Sequence, residues 1–289
     1  MEKLISIVGQ TSSGKSDLGI AIAREFDGEI VSADSRQVYK GLDFCSGKVN
    51  AEEQAQAVHH LIDVCELGTQ FTLYDYQKMA YEKIDDIISR GKLPILVGGT
   101  GLYSRAVVEG YNLAEVKPDE TNRKNLEKYS KEELIKICEE KGIQLPEETT
   151  ARRIIRLLEN ENIEKKNNNP KYDVLQIGIY WDREEIYERI RIRLERRMPK
   201  MIEEIKSLLE SGVSEDFLIS LGLEAKYVVK LIQGEFESYD IFFEELFKEE
   251  RHFAKRQKTW YNKEKNLVWL DAKDNLIEKA KKLVEEFLN

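Results

Sequence analysis

The octapeptide Gly9-Gln10-Thr11-Ser12-Ser13-Gly14-Lys15-Ser16 fits the pattern G-x-x-x-x-G-K-[ST]. It follows the apolar run Leu4-Ile5-Ser6-Ile7-Val8 and opens a helical pattern from about Ser16 to Phe26. Strand, glycine loop and helix in that order form the setting in which this motif holds phosphate. The glycines let the backbone wrap a diphosphate, and the loop N–H groups and the helix N-terminus stabilise the anion. Lys15 adds a positive charge, and Ser16 can ligate Mg²⁺. The motif does not say which diphosphate is bound, and a nucleoside triphosphate is the default guess.

The motif therefore predicts an α/β fold with a P-loop-type parallel sheet, and the next segments agree. Glu29-Ile30-Val31-Ser32 reads as a second strand, Leu73 to Arg90 as a helix, and Lys92-Leu93-Pro94-Ile95-Leu96-Val97 as a third strand. Strands separated by helices build a doubly wound sheet, with ligands at the carboxyl ends of the strands. From Pro118 to about Asn168 the chain is polar, charged and helical in pattern, ending in the loop-like Lys165-Lys166-Asn167-Asn168-Asn169-Pro170. The expected division is a core of residues 1–117 and 170–289, with C-terminal helices, and a small helical insert at 118–169. In the second half, Val174 to Trp181 and Asn266 to Leu270 read as strands. Helices are expected at Arg183–Leu209, Leu223–Ile232 and Tyr239–Trp260, with Pro199 marking a kink or a new start.

Charge and cysteine usage narrow the function classes. A net charge of −9 argues against a protein that coats nucleic acid non-specifically. The cations are nevertheless clustered, from Arg183 to Lys200 and from Lys248 to Lys265, as solvated helix faces or as anion sites. Cys45, Cys65 and Cys138 have no CxxC spacing, which points to a reducing compartment rather than a disulfide or zinc scaffold. No apolar run reaches about 18 residues and no signal peptide is visible, so a soluble cytoplasmic protein is expected.

Asp34 closes the second strand and faces the same crevice as the glycine loop. It can ligate Mg²⁺ through water, act as a general base, or cap the following turn. In Gly98-Gly99-Thr100-Gly101 the Thr100 hydroxyl can donate to a phosphate or leaving-group oxygen, or the segment is a tight turn. His59 and His60 are adjacent and lack further ligands at metal spacing, so packing or hydrogen bonding is expected of them. Arg189, Arg193, Arg196 and Arg197 share one helix face, suited to a diphosphate or an RNA backbone. Arg152, Arg153 and Arg156 make a smaller patch. Phe253, Trp260 and Tyr261 interleave with Lys255, Arg256 and Lys258, either to stack on RNA or to fill a core.

The segments GQTSSGKS, EIVSADSRQVYKGLDF, HHLIDV, GKLPILVGGTGLY, ARRIIRLLE, DREEIYERIRIRLERRM and HFAKRQKTWY stand in this order from Ile5 to about Tyr261. Together they resemble the tRNA dimethylallyltransferases, or isopentenyl-tRNA transferases. The pairing of SADSRQVYKG with LVGGTGLY is specific to that family and absent from ordinary P-loop kinases.

The resemblance implies that the loop from Gly9 to Ser16 holds the diphosphate of dimethylallyl diphosphate, with Mg²⁺ at Ser16. It implies transfer of the dimethylallyl group to N6 of an adenine in tRNA, at position 37 beside the anticodon. Asp34 would take the amine proton, Thr100 would meet the bridging oxygen, and Lys15 and Arg193 would neutralise the leaving group. Asp34, Ser35, Arg36 and Gln37 would touch the target nucleotide region, and Arg152, Arg153 and Arg156 in the insert would touch the tRNA. A monomer is expected. The chain departs from the pattern in three places. The insert is short, with the stretch before its arginines reduced to Glu147-Glu148-Thr149-Thr150. Gly222-Leu223-Glu224 stands where the family has Gly-Tyr and a basic residue, and Glu250-Arg251 stands where it has Thr-Arg. The alternatives are transfer to free AMP, ADP or ATP, an NTP-dependent kinase, or an RNA-binding homologue without catalysis.

Overall fold

A computed structural model describes residues 1–113, 120–145, 149–159 and 168–289. The expected boundary at Pro118, Glu147-Glu148 and the run Lys165-Lys166-Asn167 lie outside them. In chain order the elements are β1 (Lys3–Gly9), α1 (Lys15–Glu25), β2 (Gly28–Ser32), α2 (Ala51–Gln54), β3 (His59–His60) and α3 (Leu73–Ser89). Next come β4 (Leu93–Gly98), α4 (Gly101–Val108), α5 (Glu120–Leu126), α6 (Lys131–Glu140), α7 (Ala151–Glu159) and β5 (Asp173–Tyr180). The chain closes with α8 (Arg183–Glu210), α9 (Glu215–Ser220), α10 (Leu223–Ile232), α11 (Tyr239–Tyr261), β6 (Leu267–Asp271) and α12 (Leu276–Leu288). It divides into one unit of Met1–Tyr111 with Asn169–Asn289 and a second of Asn112–Asn168.

In the first unit a six-stranded sheet runs β3-β2-β4-β1-β5-β6, and every pairing is parallel. Alternate residues serve opposite faces. Ile5 and Ile7 of β1, Ile30 of β2, and Ile95 and Val97 of β4 pack with Leu18 and Ile22 of α1 and with Val284 of α12. Leu4, Val31 and Leu96 pack instead with Tyr76, Ile84 and Ile87 of α3 and with Val107 of α4. Covering both faces explains why β1 and β4 read as continuous apolar runs. A capping box fixes the start of α3: Asp75 N–H donates to Thr72 Oγ1 at 3.2 Å, and Thr72 N–H donates to Asp75 Oδ2 at 2.9 Å. Such a cap contributes about 1 kcal/mol.

A further apolar core joins α8, α9, α10 and α11 to the segment after β2, with Val38 and Leu42 packed among Ile190, Leu194, Met198, Met201 and Phe242. The expected new start at Pro199 is not found, because α8 runs unbroken through it. The proline removes one backbone donor. Met198, Met201 and Ile205 are fully buried around it and hold the helix together. The sequence reading also missed β3, α2, α4 and α9. β3 is two residues long, too short to show a period, and exists because Ile30 and Val31 pair with His59 and His60.

In the second unit Leu134 and Cys138 of α6 pack on Ile154, Ile155 and Leu158 of α7. Arg123 of α5 forks onto the Glu159 carboxylate at 2.8 and 2.7 Å.

Candidate active site

Because the strands are parallel, their carboxyl ends share one edge. With β2, β4 and β1 adjacent, the segments after them meet in a cavity of about 1310 Å³. The glycine loop leaves β1, Asp34 leaves β2 and Thr100 leaves β4. The β2–β4 pairing continues past the strands: Ala33 N–H donates to Val97 O at 2.8 Å, and Thr100 N–H donates to Ala33 O at 3.2 Å. That brings Ser35 to Thr100, where Ser35 N–H donates to Thr100 Oγ1 at 3.0 Å and the threonine hydroxyl donates to Ser35 Oγ at 3.3 Å. One turn on, Arg36 N–H donates to Asp34 Oδ1 at 2.9 Å, so the carboxylate is oriented by its own turn. Gln37 accepts from the Ser32 hydroxyl at 3.1 Å and donates to Gly47 O at 3.4 Å.

Gly14 bends the loop into α1 at φ 92°, a region that favours glycine, and Ser12 sits at φ 61°. Trp181 Nε1–H donates to Ser13 O at 3.0 Å, and Arg189 donates to Ser12 O at 2.9 Å while stacking over Trp181. Lys15 lies in the cavity with its ammonium donating to Gln10 O at 2.6 Å. Burial pulls its pKa down to about 8; the Arg193 charge adds to the drop and Asp34 opposes it. Arg193 is brought down to about 10, first by burial and then by Arg197. It donates to Thr11 Oγ1 at 3.1 Å and to Gly47 O at 3.3 Å. A buried lysine whose charge is disfavoured by a neighbouring arginine makes a site that gains from a bound anion.

The long helix α8 supplies this second wall. Arg189, Arg193, Arg196 and Arg197 all line the cavity, as their shared face predicts. Arg191, off that face, pairs with Glu244 at 2.8 Å. Arg197 donates to Phe44 O at 3.0 Å, and the Glu204 carboxylate accepts three successive N–H groups, Asp43 at 2.5 Å, Phe44 at 2.8 Å and Cys45 at 2.7 Å. Glu204 was not legible as a site-building residue, since its partners lie about 160 positions earlier. Gln257 was missed for the same reason: on α11, it accepts from Thr11 N–H at 2.7 Å and donates to Gly99 O at 2.9 Å.

Glu224 lines the cavity beside the arginines, and Glu250 is buried. Glu224 lies 3.7 Å from Arg197, and Glu250 is 5% exposed within the electrostatic reach of Glu224. Burial pushes the Glu250 carboxyl well above the usual range, the Glu224 charge adds to this, and Arg197 and Arg193 oppose it.

The other sequence candidates are divided among the cavity wall, the sheet edge and the second unit. His59 Nδ1 is 2.8 Å from Ala57 O, and His60 Nε2 is 2.7 Å from the Glu29 carboxylate, so both are hydrogen-bonded at the sheet edge, and His59 also reaches the cavity wall. Among the described residues no group of three or more His, Cys, Asp or Glu could hold a metal. Mg²⁺ does not need one, since it takes one or two protein oxygens plus substrate phosphates and water. The Ser16 hydroxyl and the Asp34 carboxylate line the cavity and fit that donor set. The aromatic candidates Phe253, Trp260 and Tyr261 all line the cavity; Tyr261 is buried at 2% exposure, whereas Phe253 and Trp260 are about one-third exposed. Arg152 and Arg153 are exposed on α7 of the second unit, and Arg156 pairs with Glu159 at 3.2 Å.

The profile of the IPP transferase family matches residues 37–264. The chain is 40% identical to a tRNA dimethylallyltransferase of Streptococcus agalactiae, covering 99% of this chain and 98% of that protein. It is 39% identical to tRNA dimethylallyltransferase 2 of Shewanella sediminis, covering 96% of each. The crystal structure of the full-length tRNA isopentenylpyrophosphate transferase of Bacillus halodurans superposes with a TM-score of 0.76 at 32% identity, over all of this chain and 96% of that one. A eukaryotic dimethylallyltransferase crystallised acting on tRNA shares the fold, with a TM-score of 0.83 at 23% identity, over all of this chain and 80% of that one. With most of its length inside the family profile and near-complete relatives at about 40% identity, the chain belongs to the IPP transferase family.

Proposed function

We propose that this protein transfers a dimethylallyl group from dimethylallyl diphosphate to N6 of an adenine in tRNA, next to the anticodon. The observation that carries the reading is the meeting of Asp34, Thr100, Lys15 and Arg193 in one cavity. That set can hold a diphosphate and offers a carboxylate and a hydroxyl on the same side. The loop N–H groups from Gly9 to Ser16, with Lys15, bind the diphosphate. Arg193 and Lys15 neutralise charge on the leaving oxygens. Thr100 turns its hydroxyl from Ser35 to the bridging oxygen. The adenine amine attacks the allylic carbon, the carbon–oxygen bond breaks, and Asp34 accepts the amine proton. Mg²⁺ held at Ser16 would add Lewis-acid stabilisation of the diphosphate.

The adenine must leave its stack to reach the cavity, and Ser35, Arg36 and Gln37 are placed to meet it. Arg36, Arg189, Arg196 and Arg256 also line the cavity, a local positive field in a chain of net charge −9. Arg152, Arg153 and Arg156 of the second unit contact the tRNA. Among the described residues no helix is long and apolar enough to cross a membrane. The proposed setting is the cytoplasm, with the chain acting as a monomer.

The test is transfer of labelled dimethylallyl diphosphate, with Mg²⁺, to unmodified tRNA and to AMP side by side. Label on a tRNA adenine supports the proposal. Label on AMP alone moves the protein to a free-nucleotide prenyltransferase.

A further inference from the structure

Gln257 is 7% exposed, and both ends of its amide are engaged by segments that carry the chemistry. Its Oε1 accepts from Thr11 N–H of the phosphate loop at 2.7 Å, and its Nε2 donates to Gly99 O, next to Thr100, at 2.9 Å. The same helix reinforces the tie one turn to either side. Gln10 Nε2 donates to Ala254 O at 3.0 Å, and the Tyr261 hydroxyl lies 3.5 Å from Gly98 O. The β1–β4 ladder ends at the Val8–Gly98 register, so the loops beyond it meet without a sheet between them. Gly99 is fitted to this contact: a Cβ there would come within 2.8 Å of Gln257 Nε2 and 3.7 Å of Lys15 Nζ.

From this we infer that Gln257 is a positioning residue for the transfer step. Its amide fixes the separation between the phosphate loop, which holds the leaving diphosphate, and Thr100, which meets the bridging oxygen. The inference rests on the prenyl-transfer reading above. Alignment of this kind acts on the barrier: a misplacement of about 1 Å at a reacting centre costs about 100-fold in rate. A neutral carboxamide suits the position because it presents an acceptor and a donor in one plane. A carboxylate can accept from Thr11 N–H but cannot donate to Gly99 O, whereas a protonated carboxyl can do both. Replacement by glutamate is therefore a version of the clamp that pH can open and close.

The experiment compares wild type, Gln257→Leu and Gln257→Glu with dimethylallyl diphosphate and saturating tRNA, from about pH 5.5 to about pH 8.5. It measures kcat and the donor KM on protein shown folded by thermal melts. Gln257→Leu is expected to lose about 10- to 100-fold in kcat while the donor KM moves less than about threefold, with the same ratio to wild type at every pH. Gln257→Glu is expected to be equally slow at high pH and to recover at least about fivefold relative to wild type as the pH falls. Dividing by the wild-type rate removes the pH dependence that the variants share with wild type.

The inference is overturned if Gln257→Leu keeps the wild-type kcat, or if its loss lies wholly in the donor KM. It is overturned equally if the Gln257→Glu ratio is flat in pH, an arm that stands even where the leucine variant folds poorly. A wild-type protein that transfers nothing contradicts the reading beneath it, whereas wild-type transfer with unaffected variants contradicts only the clamp.

Discussion

Thr100 and Ser35 are bonded twice, with Thr100 Oγ1 accepting from the Ser35 amide at 3.0 Å and donating to the Ser35 hydroxyl at 3.3 Å. Through this contact the turn after β4 is tied to the turn that orients Asp34. The proposed oxyanion donor and the proposed base are thus set by one short bridge across neighbouring strands.

Thr100→Val keeps the shape and removes the hydroxyl. It is expected to lower kcat by about 100- to 1000-fold, the cost of deleting one donor to a developing oxyanion. Thr100→Ser restores the group and is expected to stay within about tenfold of wild type. Steady-state transfer assays check both.

The two kinds of arginine on α7 separate recognition from folding. Arg153 is exposed, so Arg153→Ala is expected to weaken tRNA binding across sequences and to reduce the salt slope by about 1, read by filter binding at several salt concentrations. Arg156 shares the Glu159 carboxylate with Arg123. Its loss is expected to lower the melting temperature of the second unit as well.

Glu250 gives the protein a pH-dependent cost. Its folded pKa lies above that of the unfolded chain because of burial and the Glu224 charge. Below the unfolded value, about 4.3, both states hold the proton. Above it the unfolded chain releases a proton that the native state keeps, so stability falls as pH rises toward the folded value. Glu250→Gln keeps the neutral shape and removes this penalty. It is expected to melt about 2–6 °C higher than wild type at pH 8, with the gap closing toward pH 4, as followed by calorimetry.

What was legible in the sequence was local. The phosphate loop, Asp34 and Thr100 sit on short strand-to-turn segments whose residue order already carries their geometry. The shared face of Arg189, Arg193, Arg196 and Arg197 follows from helix period alone. Gln257, Glu204 and the Glu224–Glu250 pair were not legible as site builders, because each acts on segments far away in sequence. Pro199 shows the converse: a local rule against helix interiors gave way to the buried methionines around it.

The most direct measurement is single-turnover transfer to tRNA by wild type and Asp34→Asn, with donor affinity measured on the same preparations. The proposed mechanism predicts prenylated adenosine from wild type. It predicts a rate about 100- to 10,000-fold lower for Asp34→Asn, with donor affinity unchanged within about threefold. Transfer by Asp34→Asn at the wild-type rate, or no modified adenosine from wild type, would contradict it.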